Sequence, residues 1–532
     1  MSVLKLFWCG FVLTFLVIGL TWLIWPPILW SLLVVAPLFL LGVHDITQTR
    51  HTVIRNYPLV GHLRYLMEEI RPEIQQYFVE SETSGQPFSR ELRSVVYQRA
   101  KNTVDTRPFG TVGDVYEDGA EWIHHSLAPR DVLAAEPRIM IGEGRCEKPY
   151  SASMLNISAM SFGSLSRNAV LALNGGAKRG GFYHNTGEGG ISPYHLSEGG
   201  DLVWQIGTGY FGCRTLDGAF DVEEFANKAR GDTVKMIEIK LSQGAKPGHG
   251  GILPGSKVTP EIARIRGVPE GKDVISPPYH TTFSTPRGLL EFVNQLREAS
   301  GKPVGFKLCV GNLSQFLAIC KAMVEMGTVP DFITVDGSEG GTGAAPVEFS
   351  NAIGVPLTEG LLVVHNCLVG CGLRDQIKVI ASGKIVTGFN MIQRIAIAAD
   401  LCNAARPMMF ALGCIQALKC NTNKCPVGVA TQNPDLARGL VPQAKIPRVE
   451  NFHRNTVHGA LEILGAAGLT HPDQLRPEMI YRRVASATIK TYADIYTYYR
   501  EGGLVSPEPD DPCGPYHQRF VRAWGKASPD RW

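Results

Sequence analysis

Eight short apolar runs, each ending near a glycine, serine, asparagine or another turn former, recur between residues 154 and 412 and constrain the fold most. Near-continuous apolar strands separated by crossover helices indicate a parallel sheet. Eight strand–helix units over about 260 residues match the size of an α/β protein with a (β/α)8 TIM barrel. A doubly wound open sheet is the alternative. The predicted strands are Met154–Ala159, Gly181–His184, Leu202–Ile206, Met236–Leu241, Val304–Val310, Phe332–Val335, Ile377–Ala381 and Met408–Leu412.

The N-terminus is predicted to form a transmembrane hairpin. Leu6–Trp25 is almost wholly apolar, and twenty helical residues span about 30 Å, the thickness of the hydrocarbon layer. Pro26–Pro27 breaks the run before a second, shorter apolar stretch, Ile28–Val43. Basic residues on both outer flanks, Lys5 and Arg50, favour a hairpin with both ends in the cytoplasm. A cleaved signal peptide is the alternative.

These patterns divide the chain into four regions. We expect a membrane hairpin over 1–45, a linker and lead-in over 46–150, the barrel over 151–440 and a helical C-terminal extension over 441–532. The predicted helices of the barrel and the extension are Leu165–Lys178, Val222–Ala229, Leu289–Ala299, Leu313–Glu325, Leu357–Val369, Met391–Ala399, Val457–Ala466 and Pro477–Tyr498.

Composition restricts the partners and the compartment. The formal net charge is only +3 and 19% of residues are charged, so no nucleic-acid partner is expected. Twelve cysteines without disulfide-like spacing indicate a reducing compartment. We therefore expect the protein at the cytoplasmic membrane, with its catalytic domain facing the cytoplasm.

Three cysteines within twelve residues, Cys414, Cys420 and Cys425, indicate a metal centre. Thiolates packed this closely suit an iron–sulfur cluster or zinc. No fourth ligand lies nearby, which fits a cluster with three protein ligands or a site completed from elsewhere. A zinc site is less favoured, because structural zinc takes four ligands. Three unpaired cysteines on a loop are the remaining alternative.

In a barrel the chemistry lies at the C-terminal ends of the strands, and the unusual residues of this chain fall there. The glycine-rich turn Gly340–Gly343 can present backbone N–H groups to an anion. Ser382 and Gly383 follow the seventh strand, close to where barrels often bind phosphate. Lys240 and Lys307 lie in apolar strands, so each needs an anionic partner or reaches solvent at a strand edge. A phosphate-bearing cofactor across the mouth fits this set, since a cation beside a flavin stabilises its reduced ring.

Three further residues are candidates for binding a substrate. Lys246 and Arg266 can grip a carboxylate, which the planar guanidinium matches bidentately. Glu188, in a glycine-rich turn, can orient an amine or relay a proton. Ordinary surface positions are the alternative for each of them.

With these residues assembled, residues 105–440 resemble the FMN-binding synthase part of the glutamate synthase family. The resemblance implies FMN at the mouth of a (β/α)8 barrel and a 3Fe-4S cluster that passes electrons to it. It also implies that hydride is delivered to 2-iminoglutarate, formed from 2-oxoglutarate and ammonia. The matching motifs are Ile157–Ser164, Asn185–Gly190, Gly244–Gly248, Leu253–Gly255, Ile275–Pro278, Gly340–Gly343, Gly372–Asp375 and Gly413–Thr431.

The residue arguments and the resemblance together give three groups of expected site residues. The cluster ligands are Cys414, Cys420 and Cys425. The catalytic and keto-acid residues are Met160, Glu188, Lys246 and Arg266. The flavin-binding residues are Ser158, Ala159, Met160, Ser161, Gln205, Lys240, Lys307, Gly340, Gly341, Thr342, Gly343, Ser382, Gly383 and Gly413.

Two departures from the family leave the substrate open. His249 and Ile252 stand where the family has Glu and Gln, and loss of the Gln amide removes a hydrogen bond to the keto acid. We expect no glutaminase domain of the family's kind, so ammonia is expected to be free or to come from a separate subunit. Ferredoxin or a membrane carrier is the expected electron donor. The alternatives to glutamate synthesis are turnover of another amine or N-alkyl amino acid, and an electron-transfer subunit without substrate turnover.

Overall fold

The computed structural model describes residues 3–103, 106–506 and 514–532. The chain divides into two compact units, Met1–Glu91 and Leu92–Trp532.

The first unit is built from helices. Its helices are α1 (Val3–Trp22), α2 (Leu32–Thr47), α3 (Thr52–Asn56) and α4 (Gly61–Ile74), with a 3-10 turn at Pro26–Ser31 and a π-helical turn at Gln75–Val79. Phe39 of α2 packs among the rings of Phe11 and Phe15 of α1, at centroid distances of 5.2 and 5.4 Å. Two segments, Val3–Trp22 and Pro26–Thr47, are long and apolar enough to cross a membrane. Most of their large apolar side chains are exposed.

The second unit contains a closed barrel of eight parallel strands, which confirms the predicted TIM barrel and excludes the open sheet. The order around the barrel follows the chain, and the last strand pairs with the first. The strands are β4 (Leu155–Ile157), β5 (His184–Asn185), β6 (Leu202–Ile206), β7 (Val234–Lys240), β10 (Val304–Leu308), β11 (Phe332–Asp336), β12 (Lys378–Ser382) and β13 (Leu401–Ala404).

The remaining elements cover the barrel or extend it. The short strands are β1 (Glu121–Ile123), β2 (Ile139–Ile141), β3 (Tyr150–Ala152), β8 (Ile252–Leu253) and β9 (Val274–Ile275). The helices are α5 (Arg90–Lys101), α6 (Arg167–Gly180), α7 (Pro193–Leu196), α8 (Val222–Ala229), α9 (Pro260–Arg266), α10 (Pro286–Ser300), α11 (Leu313–Met326), α12 (Leu357–Gly370), α13 (Gly388–Ile397), α14 (Arg406–Leu412), α15 (Pro434–Ala437) and α16 (Pro442–Ala466).

The side chains inside the barrel change from apolar to polar along the strands. The lower layer is a cluster of buried residues formed by Tyr183, Val203, Met236, Phe332, Ile380 and Leu401, and β2 and β3 pack beneath it. Two residues further along, the same strands carry Asn185, Gln205, Glu238, Thr334, Ser382 and Asn403, all buried. Because successive inward-facing residues are two apart, this polar layer lies nearer the mouth.

The predicted eighth strand, Met408–Leu412, is wrong. These residues lie in helix α14 (Arg406–Leu412), and the strand is Leu401–Ala404. Pro407 in the first turn and Gly413 in a left-handed conformation after the last turn delimit the helix. The true strand is only four residues long and contains an asparagine, so its apolar signal is weak.

The C-terminal extension is only partly helical. The predicted Val457–Ala466 helix lies inside α16, but the predicted Pro477–Tyr498 helix is wrong. That segment contains a 3-10 turn (Pro477–Met479), strands β14 (Ile480–Ala485) and β15 (Thr488–Thr491), and the short helix α17 (Tyr492–Ile495); helix α18 (Gly514–Lys526) follows later. Strand β14 pairs with β1, and the partners Glu121 and Arg482 are 361 residues apart in the chain. A distant partner therefore overrides the local helical pattern.

Candidate active site

The centre of the barrel mouth is an ion pair between Glu188 and Lys240. Lys240 ends β7, and Glu188 lies in the turn after β5, where Gly187 has a φ of 64° that favours glycine. The Lys240 Nζ donates a hydrogen bond of 2.6 Å to Glu188 Oε1. The lysine side chain is 8% exposed and the glutamate side chain 17%, so the predicted anionic partner of Lys240 is another residue of the protein.

Two more cations act on the same carboxylate. Burial opposes ionisation of Glu188, but the charge and hydrogen bond of Lys240, together with the charges of Lys246 and Arg266, outweigh it and lower the pKa of Glu188. Burial lowers the pKa of Lys246 to about 8, and the charge of Lys240 adds to this. Burial also lowers the pKa of Arg266 to about 10. With all four groups ionised, three positive charges face one negative charge, which leaves a net charge of +2 for an anionic ligand.

Glycines leave room for the Glu188 side chain. A Cβ atom at Gly207 would lie 2.7 Å from Glu188 Cβ, and one at Gly251 would lie 2.5 Å from Glu188 Oε1. Both distances are shorter than real contacts, so bare backbone is required on two sides of the carboxylate. The exits of β6 and of β7 therefore both contribute to this pocket.

Arg266, at the end of α9, joins the pocket to the loop after the first barrel strand. Its guanidinium donates to Phe162 O at 3.0 Å and to Ser161 Oγ at 3.3 Å, and it lies 5.3 Å from the centroid of the Phe211 ring. Its buried Nε has no hydrogen-bond partner among the described residues. The guanidinium thus retains donor capacity that a bound carboxylate could use. Met160, also predicted here, is buried in the same loop.

A second ion pair, Lys307–Asp336, lies on the neighbouring strands β10 and β11. The Lys307 Nζ and Asp336 Oδ2 are 3.1 Å apart, and both side chains are almost fully buried. Asp336 also accepts hydrogen bonds from Ser382 Oγ at 2.9 Å and from Gly244 N at 2.9 Å. Burial disfavours the Lys307 charge, but Asp336 outweighs it and raises the pKa of Lys307. Neither predicted lysine reaches solvent at a strand edge, so that alternative is wrong.

Beneath these pairs, Glu238 organises the polar layer. Its Oε1 accepts from Gln205 Nε2 at 2.6 Å and from Asn185 Nδ2 at 2.8 Å, and its Oε2 accepts from Thr334 Oγ1 at 2.7 Å. The predicted flavin residue Gln205 is therefore held by a buried carboxylate that the sequence interpretation missed. A glutamate inside an apolar strand was the available signal, and it is the same signal that identified the lysines.

The glycine-rich turn lies beside Arg406, another residue that the prediction missed. A Cβ at Gly341 would lie 2.8 Å from both Cδ and Nε of Arg406, and Arg406 donates to Glu339 O. Burial lowers the pKa of Lys384, and the charge of Arg406 contributes, so these two cations are close together. Two cations beside exposed glycine backbone fit the phosphate end of a flavin mononucleotide. Of the other predicted flavin residues, Ser158 is buried with its Oγ 3.3 Å from Ser382 Oγ, and Ala159 is half-buried.

The segment from Cys414 to Gln432, the cysteine loop, is attached to the mouth side of the barrel. Gln432 Nε2 donates to Leu165 O at 2.7 Å and to Gly163 O at 3.0 Å, in the loop after the first strand. Lys257 Nζ donates to Ser164 O at 2.8 Å, and Asn423 Nδ2 donates to Ser256 O at 2.9 Å. Gly413, predicted to end a strand, instead follows helix α14.

The three cysteines lie close enough for their charges to interact. Burial raises the pKa of Cys414 to about 12, with contributions from Cys420 and Cys425. Lys257 is buried, and Cys420 and Cys425 favour its charged form. Gln416 N donates a hydrogen bond to Cys414 Sγ at 3.5 Å. In the part of the chain that the structure describes, no group of three His, Cys, Asp or Glu side chains is placed to hold a single metal ion. The thiolates of an iron–sulfur cluster bind to several iron atoms. Neighbouring cysteine sulfurs, with Lys257 and the Gln416 N–H group beside them, fit such a cluster.

Comparisons with known proteins agree with this geometry. The family model described as the conserved region in glutamate synthase matches residues 111–470. The chain is 39% identical over 482 residues to the glutamate synthase large subunit-like protein YerD of Bacillus subtilis, covering 83% of this chain and 92% of YerD. The chain belongs to the glutamate synthase family.

Other members of the glutamate synthase family align over a smaller part. The archaeal glutamate synthase [NADPH] of Methanocaldococcus jannaschii is 38% identical over 323 residues, which is 60% of each chain. The chain thus spans less than two thirds of the length of that relative. A structure of mandelate oxidase with (S)-2-phenylpropionate aligns over 75% of this chain and 98% of its own, at 13% identity and a TM-score of 0.43, a likeness too low to carry an argument.

Proposed function

We propose that this member of the glutamate synthase family is an FMN- and 3Fe-4S-dependent oxidoreductase that reductively aminates 2-oxoglutarate or a related keto acid. The observation that carries the proposal is the net charge of +2 around Glu188, which arises from Lys240, Lys246 and Arg266. A dicarboxylate keto acid carries two negative charges, so it would balance this pocket. Monocarboxylates would leave one buried cation uncompensated, which is costly.

Each side chain has a role that follows from its charge. Lys246 and the free donor capacity of Arg266 would bind the two carboxylates of the keto acid. The lowered pKa of Glu188 keeps it ionised near neutral pH, so it would accept hydrogen bonds from the N–H groups of an iminium or amine. That interaction would hold the reacting nitrogen in place.

The residues that would hold FMN surround this pocket. Lys384, Arg406 and the backbone of Gly341 would bind its phosphate, and Lys307 with Gln205 would lie along the ring. Bound FMN supplies hydride chemistry. Cys414, Cys420 and Cys425 would hold the 3Fe-4S cluster, which supplies single-electron transfer.

A contact chain links the cysteines to the keto-acid pocket, which supports electron transfer from the cluster toward the barrel mouth. Lys257, beside the cysteines, hydrogen-bonds the Ser164 carbonyl, and the hydroxyls of Ser164 and Ser161 are 3.1 Å apart. Ser161 in turn accepts from Arg266 in the keto-acid pocket. The cysteine loop and the pocket therefore share the exit loop of the first strand.

A second candidate function is turnover of another amine or an N-alkyl amino acid. It is favoured by Ile252, which is half-buried in β8 and offers no side-chain hydrogen bond, and by His249, whose ring lies edge-on to Phe349 at 5.3 Å. These side chains make the loop after β7 less polar than a keto-acid clamp requires. A third candidate is an electron-transfer subunit without turnover, which the ionised Glu188 pocket disfavours.

The two apolar segments at the N-terminus bear on where the protein lies in the cell. We propose that Val3–Trp22 and Pro26–Thr47 anchor the chain in the cytoplasmic membrane, with the barrel on the cytoplasmic side. Ferredoxin or a membrane carrier would reduce the cluster, and free ammonia or a separate subunit would supply nitrogen.

Anaerobic purification with cofactor analysis tests the proposal. We expect FMN and iron in the full chain, and flavin reoxidation by 2-oxoglutarate with ammonium in a screen of keto acids and amines. Reoxidation by an N-alkyl imine alone would select the second candidate. Cofactors without any turnover would select the third.

A further inference from the structure

Helix α4 carries an apolar stripe that the other helices of the first unit leave partly exposed. Its apolar residues recur at intervals of three and four, so they share one face. They are Leu63, Leu66, Met67, Ile70 and Ile74. Their exposed fractions range from 37% at Ile70 to 54% at Leu63, whereas a stripe of this kind on a soluble helix is normally buried against a core.

The polar face of α4 is distinct from the stripe. Arg64 Nε and Glu68 Oε1 form an ion pair at 3.0 Å, and both side chains are more than half exposed. Arg71 lies on the same side. The helix is therefore amphipathic, with low overall hydrophobicity, which is the pattern of helices that lie in a membrane interface.

The start of α4 is tied to the end of the second apolar helix. Asp45, 1% exposed in α2, accepts hydrogen bonds from Leu59 N and His62 Nε2, both at 2.9 Å. These bonds fix the first turn of α4 beside the last turn of α2. If α2 crosses the bilayer, its last turn lies at the headgroup level, and so does the first turn of α4, where the stripe begins.

We propose that α4 lies in the plane of the membrane surface and that lipid is the occupant of its apolar stripe. The proposal rests on the membrane anchoring proposed above. The hydrogen-bonded link between the start of α4 and the end of α2, a segment apolar enough to cross a membrane, selects lipid over a second copy of the chain. The π-helical turn that follows carries another exposed apolar side chain, Phe78, which is 85% exposed.

Photolabelling of the full chain in lipid vesicles tests this assignment. The vesicles contain phosphatidylcholine and phosphatidylglycerol, the probe is a lipid-soluble carbene precursor confined to the bilayer, and adducts are located by mass spectrometry. We expect adducts in Val3–Thr47 and also on Leu63, Leu66 and Ile70. Leu66→Gln combined with Ile70→Gln should abolish the adducts in α4 and leave those in the hairpin, whereas the control Glu68→Gln should keep both.

The possible results separate the two proposals. Adducts in the hairpin with none in α4 would overturn the surface assignment and leave the anchor intact. Absence of adducts from both segments would overturn both. An oligomer that the Leu66→Gln and Ile70→Gln changes dissociate, with no adducts in α4, would assign the stripe to a second copy and overturn the lipid assignment.

Discussion

Lys240 Nζ lies 2.6 Å from Glu188 Oε1, and this pair joins the ends of two barrel strands that are not neighbours, β5 and β7. The pair is almost buried, yet its charges do not cancel within the pocket, because Lys246 and Arg266 act on the same carboxylate. A buried surplus of positive charge is unfavourable without a ligand. The pocket is thus arranged to bind an anion.

Glu188→Gln should lower kcat by about 10- to 100-fold, the cost of one hydrogen bond to a charged group. The amide cannot accept from an iminium as a carboxylate does, and Lys240 loses its counter-charge. Steady-state turnover with the preferred substrate measures the effect. Glu224→Gln, at an exposed pair with Lys228, is the matched control and should leave kcat unchanged; equal activity of both variants would contradict the role of Glu188.

The KM for a dicarboxylate substrate should rise as pH increases through about 8. The pKa of Lys246 is lowered to about 8, so its positive charge is present below that pH and lost above it. A KM profile between pH 6.5 and 9.5 measures the inflection. Lys246→Arg keeps the charge throughout and should remove the inflection, so an unchanged profile in that variant would count against the assignment.

The sequence was sufficient for the barrel because seven of its strands lie in or beside short runs rich in apolar residues. It failed at Leu401–Ala404, where a four-residue strand precedes the longer apolar run of α14. It also failed at β14, whose partner β1 is distant in the chain. Pairing over such separations is a tertiary effect that local patterns do not contain.

The candidate site was predictable wherever an unusual residue type was itself the signal. Buried lysines and clustered cysteines are rare, so Lys240, Lys307 and Cys414 were noticed. Asp336 was not, because an aspartate that ends a strand resembles an ordinary turn former. The pairing of Glu188 with Lys240 was missed for another reason: it depends on the strand order, which places β5 and β7 on either side of β6.

Asp336→Asn should lower the stability of the fold by about 3–5 kcal/mol, because it leaves the Lys307 charge buried without a partner. Differential scanning fluorimetry of the full chain in detergent would record this as a lower apparent Tm. Adding Lys307→Met should restore part of the loss. Asp435→Asn, at an exposed pair with Arg438, should leave the Tm unchanged. A similar decrease in Tm for this variant would show that burial of the Lys307–Asp336 pair does not cause the loss of stability.

Cys420→Ser should eliminate the iron–sulfur absorbance and the iron content while flavin is retained. An alcohol oxygen is a poor ligand for iron in such clusters compared with a thiolate. Iron analysis and EPR spectroscopy of anaerobically purified protein measure the change. Cys146→Ser is the control, since that thiol contacts Asp331, which directly precedes strand β11. Loss of iron in both variants, or in neither, would argue against the cysteine loop as the cluster site.

Arg406→Met should weaken FMN binding by about 10- to 100-fold, the cost of one hydrogen bond to a charged group. Riboflavin, which lacks the phosphate, should bind both forms equally. Fluorescence titration of flavin-depleted protein compares the two ligands, with the exposed Arg438→Met as control. Equal weakening for riboflavin would show that Arg406 supports the fold rather than the phosphate.

Reoxidation of the reduced flavin is the sharpest experiment on the proposed reductive amination of 2-oxoglutarate. The full chain is reduced anaerobically, mixed with 2-oxoglutarate and ammonium, and followed by flavin absorbance while glutamate is quantified. We expect reoxidation with one glutamate formed for each two electrons that the protein loses, and no reoxidation by a monocarboxylate keto acid. A flavin that stays reduced with 2-oxoglutarate and ammonium, or equal rates with mono- and dicarboxylates, would contradict the proposed reaction.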